Sequence, residues 1–149
     1  MINLNSYKQY FNGVIKEDSE EFRTISEVYN ILVSRLPQTA SEAFSRVSSL
    51  ESYRAQLSSM IYMISMIKDD VNREYRKLYE REFTKLSLLN RPSQAAIEAE
   101  IHSKSTEAFM LRDRLESFDR VLALLNSYIR CIDSCKTSAM ECWRDARRV

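Results

Sequence analysis

Arg73, Lys77, Arg81 and Lys85 stand four residues apart. On a helix that spacing lines them along one face. Arg76 flanks the row and Arg91 continues it. Against these six cations the segment 73–91 sets three acids, Glu74, Glu80 and Glu82. Tyr79 and Phe83 fall at the border between this face and an apolar face made by Val71, Tyr75, Leu78 and Leu86. Phosphates need regularly spaced cations, and unstacked bases need aromatic surfaces to lie on. The set Arg73, Arg76, Lys77, Tyr79, Arg81, Phe83, Lys85 and Arg91 is therefore a candidate surface for single-stranded DNA. The plainer use of the same residues is a solvated helix face, its cations partly paired to Glu74, Glu80 and Glu82. A second cluster, Arg144, Arg147 and Arg148, ends the sequence. Cations there complement a helix dipole, whether or not they also touch phosphate.

Other chemistry is sparse. The one histidine, His102, leads into the polar run Ser103-Lys104-Ser105-Thr106 and reads as a solvated helix residue. No serine or cysteine sits in a recognisable nucleophile context. With Gly13 as the only glycine, no phosphate-cradling loop can form. Glu98 and Glu100, two apart on a helix, face different ways. Cys131 and Cys135 could share a face as a soft metal pair, but Cys131, Cys135 and Cys142 read more simply as small core residues. The expectation is a protein that is not an enzyme, with no cofactor and no metal site.

The elements that carry these residues are helical. One glycine and two prolines are too few for a strand-and-turn fold. Residues 1–37 read as an N-terminal helical arm. Its start is mixed, with Tyr7, Tyr10, Phe11, Val14 and Ile15 around Gly13. A cap at Asp18 with Glu21 then opens a stripe of Phe22, Ile25, Val28, Tyr29, Leu32 and Leu36, closed by Pro37. Residues 38–149 read as a long helical hairpin. Thr39 with Glu42 forms a capping box. From there to Leu89 nothing breaks the helix, and Phe44, Val47, Leu50, Leu57, Met60, Ile61, Ile64, Ile67, Val71, Leu78 and Leu86 keep its apolar stripe. Asn90-Arg91-Pro92-Ser93 is the turn, with Ser93 capping the second long helix. The weakly apolar run Ser103 to Thr106 is a place for a kink.

The second helix carries two seams. Ala108, Leu111, Leu115, Phe118, Leu122, Leu125, Ile129 and Ile132 repeat in alternating steps of three and four. Val121, Leu124, Tyr128, Cys131, Cys135, Ser138 and Cys142 repeat the rhythm beside them. This is the spacing of a coiled coil. Two adjacent seams need two partners. The expected fold is an all-α, long αα-hairpin with an N-terminal helix, oligomerising through the C-terminal helix 108–147. The residues expected to hold copies together are Leu111, Leu115, Phe118, Leu122, Leu125, Tyr128, Ile129, Ile132 and Trp143.

A formal charge of +1 excludes a globally basic binder. No apolar run approaches the ~20 residues of a membrane span. The N-terminus lacks the basic start and apolar run of a signal peptide. Three cysteines at helical spacing suit a reducing compartment. The expectation is a cytoplasmic protein, in a host cell's cytoplasm if viral, with no membrane partner.

With the hairpin, the basic-aromatic row and the C-terminal helix in hand, the chain resembles the UvsY-type recombination mediators of T-even-like phages. The likeness runs through Glu100-Ile101, Leu111, Leu115, Leu124-Leu125, Asp133 and Lys136, in order and spacing. Tyr75-Arg76-Lys77-Leu78-Tyr79 falls where that family has its basic-aromatic DNA-binding stretch. Lys136 interrupts the first seam where an apolar residue is expected. After its lysine the family has a glycine and an aromatic, where this chain has Thr137-Ser138-Ala139-Met140. The resemblance implies a ring-forming homo-oligomer that binds single-stranded DNA and loads a RecA-like recombinase while a single-stranded-DNA-binding protein is displaced. The other reading of the same helices is a structural, assembly or chaperone-type interaction protein, such as a phage scaffold or adaptor, without DNA binding.

Overall fold

A computed structural model of the chain describes residues 14–16, 18–90 and 93–148. Tyr7, Tyr10, Phe11, Gly13, Arg91, Pro92 and the side chain of Leu86 lie outside the described residues. The described chain is helical: α1 Glu20–Leu32, α2 Ala40–Asn90, α3 Gln94–Lys104 and α4 Thr106–Arg147. The fold is all-α, and its frame is an antiparallel hairpin of α2 and α4.

Each helix starts where a side chain accepts an otherwise unpaired backbone N–H. Ser19, not Asp18, caps α1, its Oγ accepting from Phe22 N at 3.3 Å. Before α2, Thr39 Oγ1 accepts from Glu42 N at 3.1 Å, and Glu42 Oε2 accepts from Gln38 N at 2.8 Å. Ser93 caps α3. Ser105 is extended, with φ −111° and ψ 102°, and ends α3 while its Oγ caps α4 from Ala108 N. The polar run before Ala108 thus breaks the second helix into two. Serine and threonine there offer the backbone alternative partners.

The hairpin register is set by seven-residue rails. On α2, Ala43, Leu50, Leu57, Ile64, Val71 and Leu78 are buried at steps of seven. On α4, Phe118, Leu125, Ile132 and Ala139 do the same. Three cross-helix ion pairs flank the rails: Glu51–Lys136 at 3.4 Å, Arg54–Asp133 at 2.9 Å, and Lys68–Asp119. From the first pair to the second the pairing moves three residues up α2 and three down α4. From the second to the third it moves fourteen up and fourteen down, two whole heptads, as antiparallel coiled-coil packing requires. Lys136 sits in the apolar seam and resolves the conflict by reaching Glu51.

α1 lies in the groove beside this hairpin and runs antiparallel to α2. Thr24 meets Gln56 at 3.2 Å, and Tyr53 donates to Glu27 at 2.8 Å. Ile25 and Val28 are fully buried. One half of the rod is therefore a three-helix bundle, and the half toward the α2–α3 turn is the hairpin alone with α3 laid on it. Ile97 and Ile101 of α3 are buried. α1 ends at Leu32, so Leu36 lies beyond it and is exposed. Phe44 and Ile67, expected in the stripe, are also exposed, because both point to the flanks of the buried rail.

This arrangement removes the double seam as a ground for self-association. From Val121 to Tyr128 both seams of α4 do have partners, and both belong to the same chain. Leu115, Phe118, Leu125, Tyr128 and Ile132 are buried, and Leu111, Leu122 and Ile129 pack partly buried against the same core. α2 covers the first seam. α1 covers the flank of Tyr128 and Cys135, with Tyr29 and Leu32 across the groove. Trp143 is half-buried, with the Arg147 guanidinium 4.6 Å above its ring. Cys131 is exposed rather than core. Among the described residues, no helix is long and apolar enough to cross a membrane.

Candidate nucleic-acid interface

The basic row occupies the two-helix half of the rod. Val71, Tyr75 and Leu78 turn inward and are buried. Arg73, Arg76, Lys77, Arg81 and Lys85 are all exposed. At 100° per residue Arg73 and Lys77 point away from the buried side, and each further step of four swings the row about 40° around the helix toward Leu78. Arg91 lies outside the described residues.

Its charges are only loosely held. Arg73 Nη2 lies 2.5 Å from Asp70, and Arg81 and Lys85 share Glu82 at 3.6 and 3.5 Å. These cationic side chains are more than half exposed, so each pair contributes at most about 1 kcal/mol and gives way readily to a phosphate. Arg76 and Lys77 form no ion pair with the described residues. Of the three acids expected to neutralise the row, Glu82 alone pairs with it among the described residues.

The aromatic residues are committed to packing. Tyr75 and Tyr79 have ring centroids 5.9 Å apart, and Tyr79 and Phe83 stack at the same distance. This ladder runs along the border of the core, with Tyr79 and Phe83 half-buried. Both rings are used in packing against the core, so cations rather than ring faces are what the row presents to a ligand.

His102 is not a solvated residue. It is half-buried, its Nε2 2.8 Å from the Tyr75 hydroxyl, and the two rings lie 6.0 Å apart. The hydrogen bond pins α3 to α2. Burial pushes the Tyr75 phenol above its ordinary value; the Arg112 charge opposes that shift, and Glu98 adds to it. Arg112, absent from the candidate set, thus comes beside Tyr75. A signal for it was present: Arg112, Asp119 and Asp133 follow one another at steps of seven and fourteen, and the last two face α2.

The remaining candidates stay apart from the row. Arg144 and Arg148 are exposed at the end of α4, far along the rod from Arg76. Burial pushes the Cys135 thiol up, with Cys131 adding to the shift. Among the described residues, no three metal-ligating side chains come together. No protein-family model, curated protein or solved structure matches the chain.

Proposed function

We propose that the chain binds single-stranded DNA along the α2 cation row and acts as a non-enzymatic mediator that helps load a RecA-like recombinase. One observation carries the binding half: five exposed cations within thirteen residues of one helix, two of them without an ion pair to the described residues. The row from Arg73 to Lys85 spans ~18 Å at 1.5 Å per residue. Such a row recognises phosphate and not base sequence. The loading half is drawn from the UvsY-type resemblance. In that mechanism the protein holds a strand extended, so a recombinase nucleates while a single-strand-binding protein leaves. One row offers about five cations to phosphate, and several copies acting together turn a weak hold into a firm one.

The test is fluorescence anisotropy of a short labelled single strand across a salt series. Binding that weakens as salt rises, with little dependence on sequence, supports the reading. Absence of binding at low salt refutes it. A second reading, a helical assembly protein without DNA binding, draws on the exposed side chains of Tyr62, Met63 and Met66 midway along α2.

A further inference from the structure

From Ala55 to Ile67 the chain carries no charged side chain. In a chain with 29% charged residues, a long surface helix ordinarily has charge on its outer face. Here Tyr62 is 67% exposed, Met63 55% and Met66 53%. Tyr62 and Met66 lie on the side of α2 that points away from both α4 and α1, and Met63 borders them toward Val14 and Ile15. Exposed apolar residues grouped in this way mark an interaction surface.

The order of residues on that face says what fits it. Ser52, Ala55, Ser59, Tyr62, Met66 and Asp69 follow one another in steps of three and four, and all are exposed. They form a third coiled-coil rail, back to back with the buried one. The side chains are small on its first half and large on its second. A second copy laid antiparallel, about an axis midway between Ser59 and Tyr62, sets Tyr62 against Ser59 of the other copy and Met66 against Ala55. Each large side chain meets a small one, twice over by symmetry, as a self-complementary two-fold interface requires. Asp69 then faces the Ser52 hydroxyl. A parallel pairing sets Tyr62 against Tyr62, and brings Asp69 and Asp70 against their own copies, like charge against like.

We infer that the outer face of α2 is a dimer interface, and that its occupant is a second copy of this chain packed antiparallel. The buried seam of α4 takes no part. Two hairpins joined back to back carry a cation row near each end of the pair. The inference does not depend on the strand-binding reading.

Sedimentation and light scattering without DNA test the inference. The full chain should run at about twice its 17.5 kDa mass at tens of micromolar. Tyr62→Glu with Met66→Glu should halve that mass and leave the helical circular dichroism unchanged, since both side chains are exposed. The orientation is read separately, in chains with the three cysteines replaced by serine. Ala55→Cys combined with Met66→Cys should be joined between chains by a short bismaleimide, and Ala55→Cys alone should not. A monomeric full chain, a dimer that survives the double Glu variant, or efficient joining through Ala55→Cys alone each overturns the proposal. None of these results bears on whether the cation row binds DNA.

Discussion

Arg54 reaches from α2 to α4 and grips Asp133 with two nitrogens, Nε at 2.9 Å and Nη2 at 3.4 Å. Two parallel donors on one carboxylate fix direction as well as distance. Three residues along α4, Lys136 makes the matching ion pair with Glu51. Asp133 and Lys136 are the two polar positions in the α4 part of the likeness to UvsY-type mediators. In this chain both serve the register of the hairpin.

The Arg54 hydrogen bond holds the Asp133 carboxyl below its ordinary value, with the charges of Arg54 and Lys136 acting the same way. A carboxyl depressed on folding stabilises the fold above its unfolded value of 3.8 and loses that contribution as pH falls through the folded one. Asp133→Asn should therefore melt lower than wild type at neutral pH, and the gap should close in acid. Thermal melts by circular dichroism at pH 7 and at pH 2 to 3 check this. A gap that widens in acid would contradict it.

Leu125 is fully buried between α4 and its neighbours in the chain. Leu125→Ala should destabilise the fold by about 2–5 kcal/mol, through the forfeited transfer energy and the cavity left behind. The mass of the folded species should not change, because the seam is filled from within. Denaturant titration with light scattering measures both. A normal stability with a reduced mass would restore this seam to an interface between copies.

Tyr75→Phe removes the partner of His102. The expected loss is about 0.5–1.5 kcal/mol, felt locally where α3 rests on α2. Hydrogen exchange should quicken across 94–104 and stay unchanged across 118–132. Equal quickening in both would mean that Tyr75 supports the whole hairpin rather than α3.

Much of the frame was legible in the sequence because periodicity alone carries it. Leu50, Leu57, Ile64, Val71 and Leu78 recur at seven, and no breaker interrupts α2 until Asn90. The break at Ser105 was legible as a polar gap in the apolar rhythm. The partner of a seam was not. A double stripe on α4 says that two surfaces are covered, and says nothing of whether α1 or another copy covers them. Cys131 shows the same limit, since it fits the rhythm of the second seam and only the position of α1 leaves it exposed. His102 looked solvated because its neighbours in sequence are polar, while its partner, Tyr75, lies 27 residues away. Of the candidate interface, the exposed cations were legible from spacing. The stacking of Tyr79 on Phe83 was not, because a border position leaves open which way a ring turns.

Replacing Arg144, Arg147 and Arg148 together by Gln should leave the affinity for a short single strand unchanged, because α4 ends far from the α2 row. The strand is kept short, about ten nucleotides. Anisotropy on the same strand checks it. A large loss would move the binding surface to the end of α4.

The central claim is that phosphate is held by the α2 row, and one comparison tests it most directly. Wild type and Arg76→Glu with Lys77→Glu are titrated onto the same labelled strand at several salt concentrations and matched protein concentration. Both side chains are exposed, so the fold should be intact by circular dichroism. The predicted result is salt-sensitive binding by wild type and tenfold or weaker binding by the variant, its salt slope flatter by about 0.7 for each phosphate no longer neutralised. Equal affinity and equal slope in the two proteins would contradict it, as would a wild type that fails to bind at low salt.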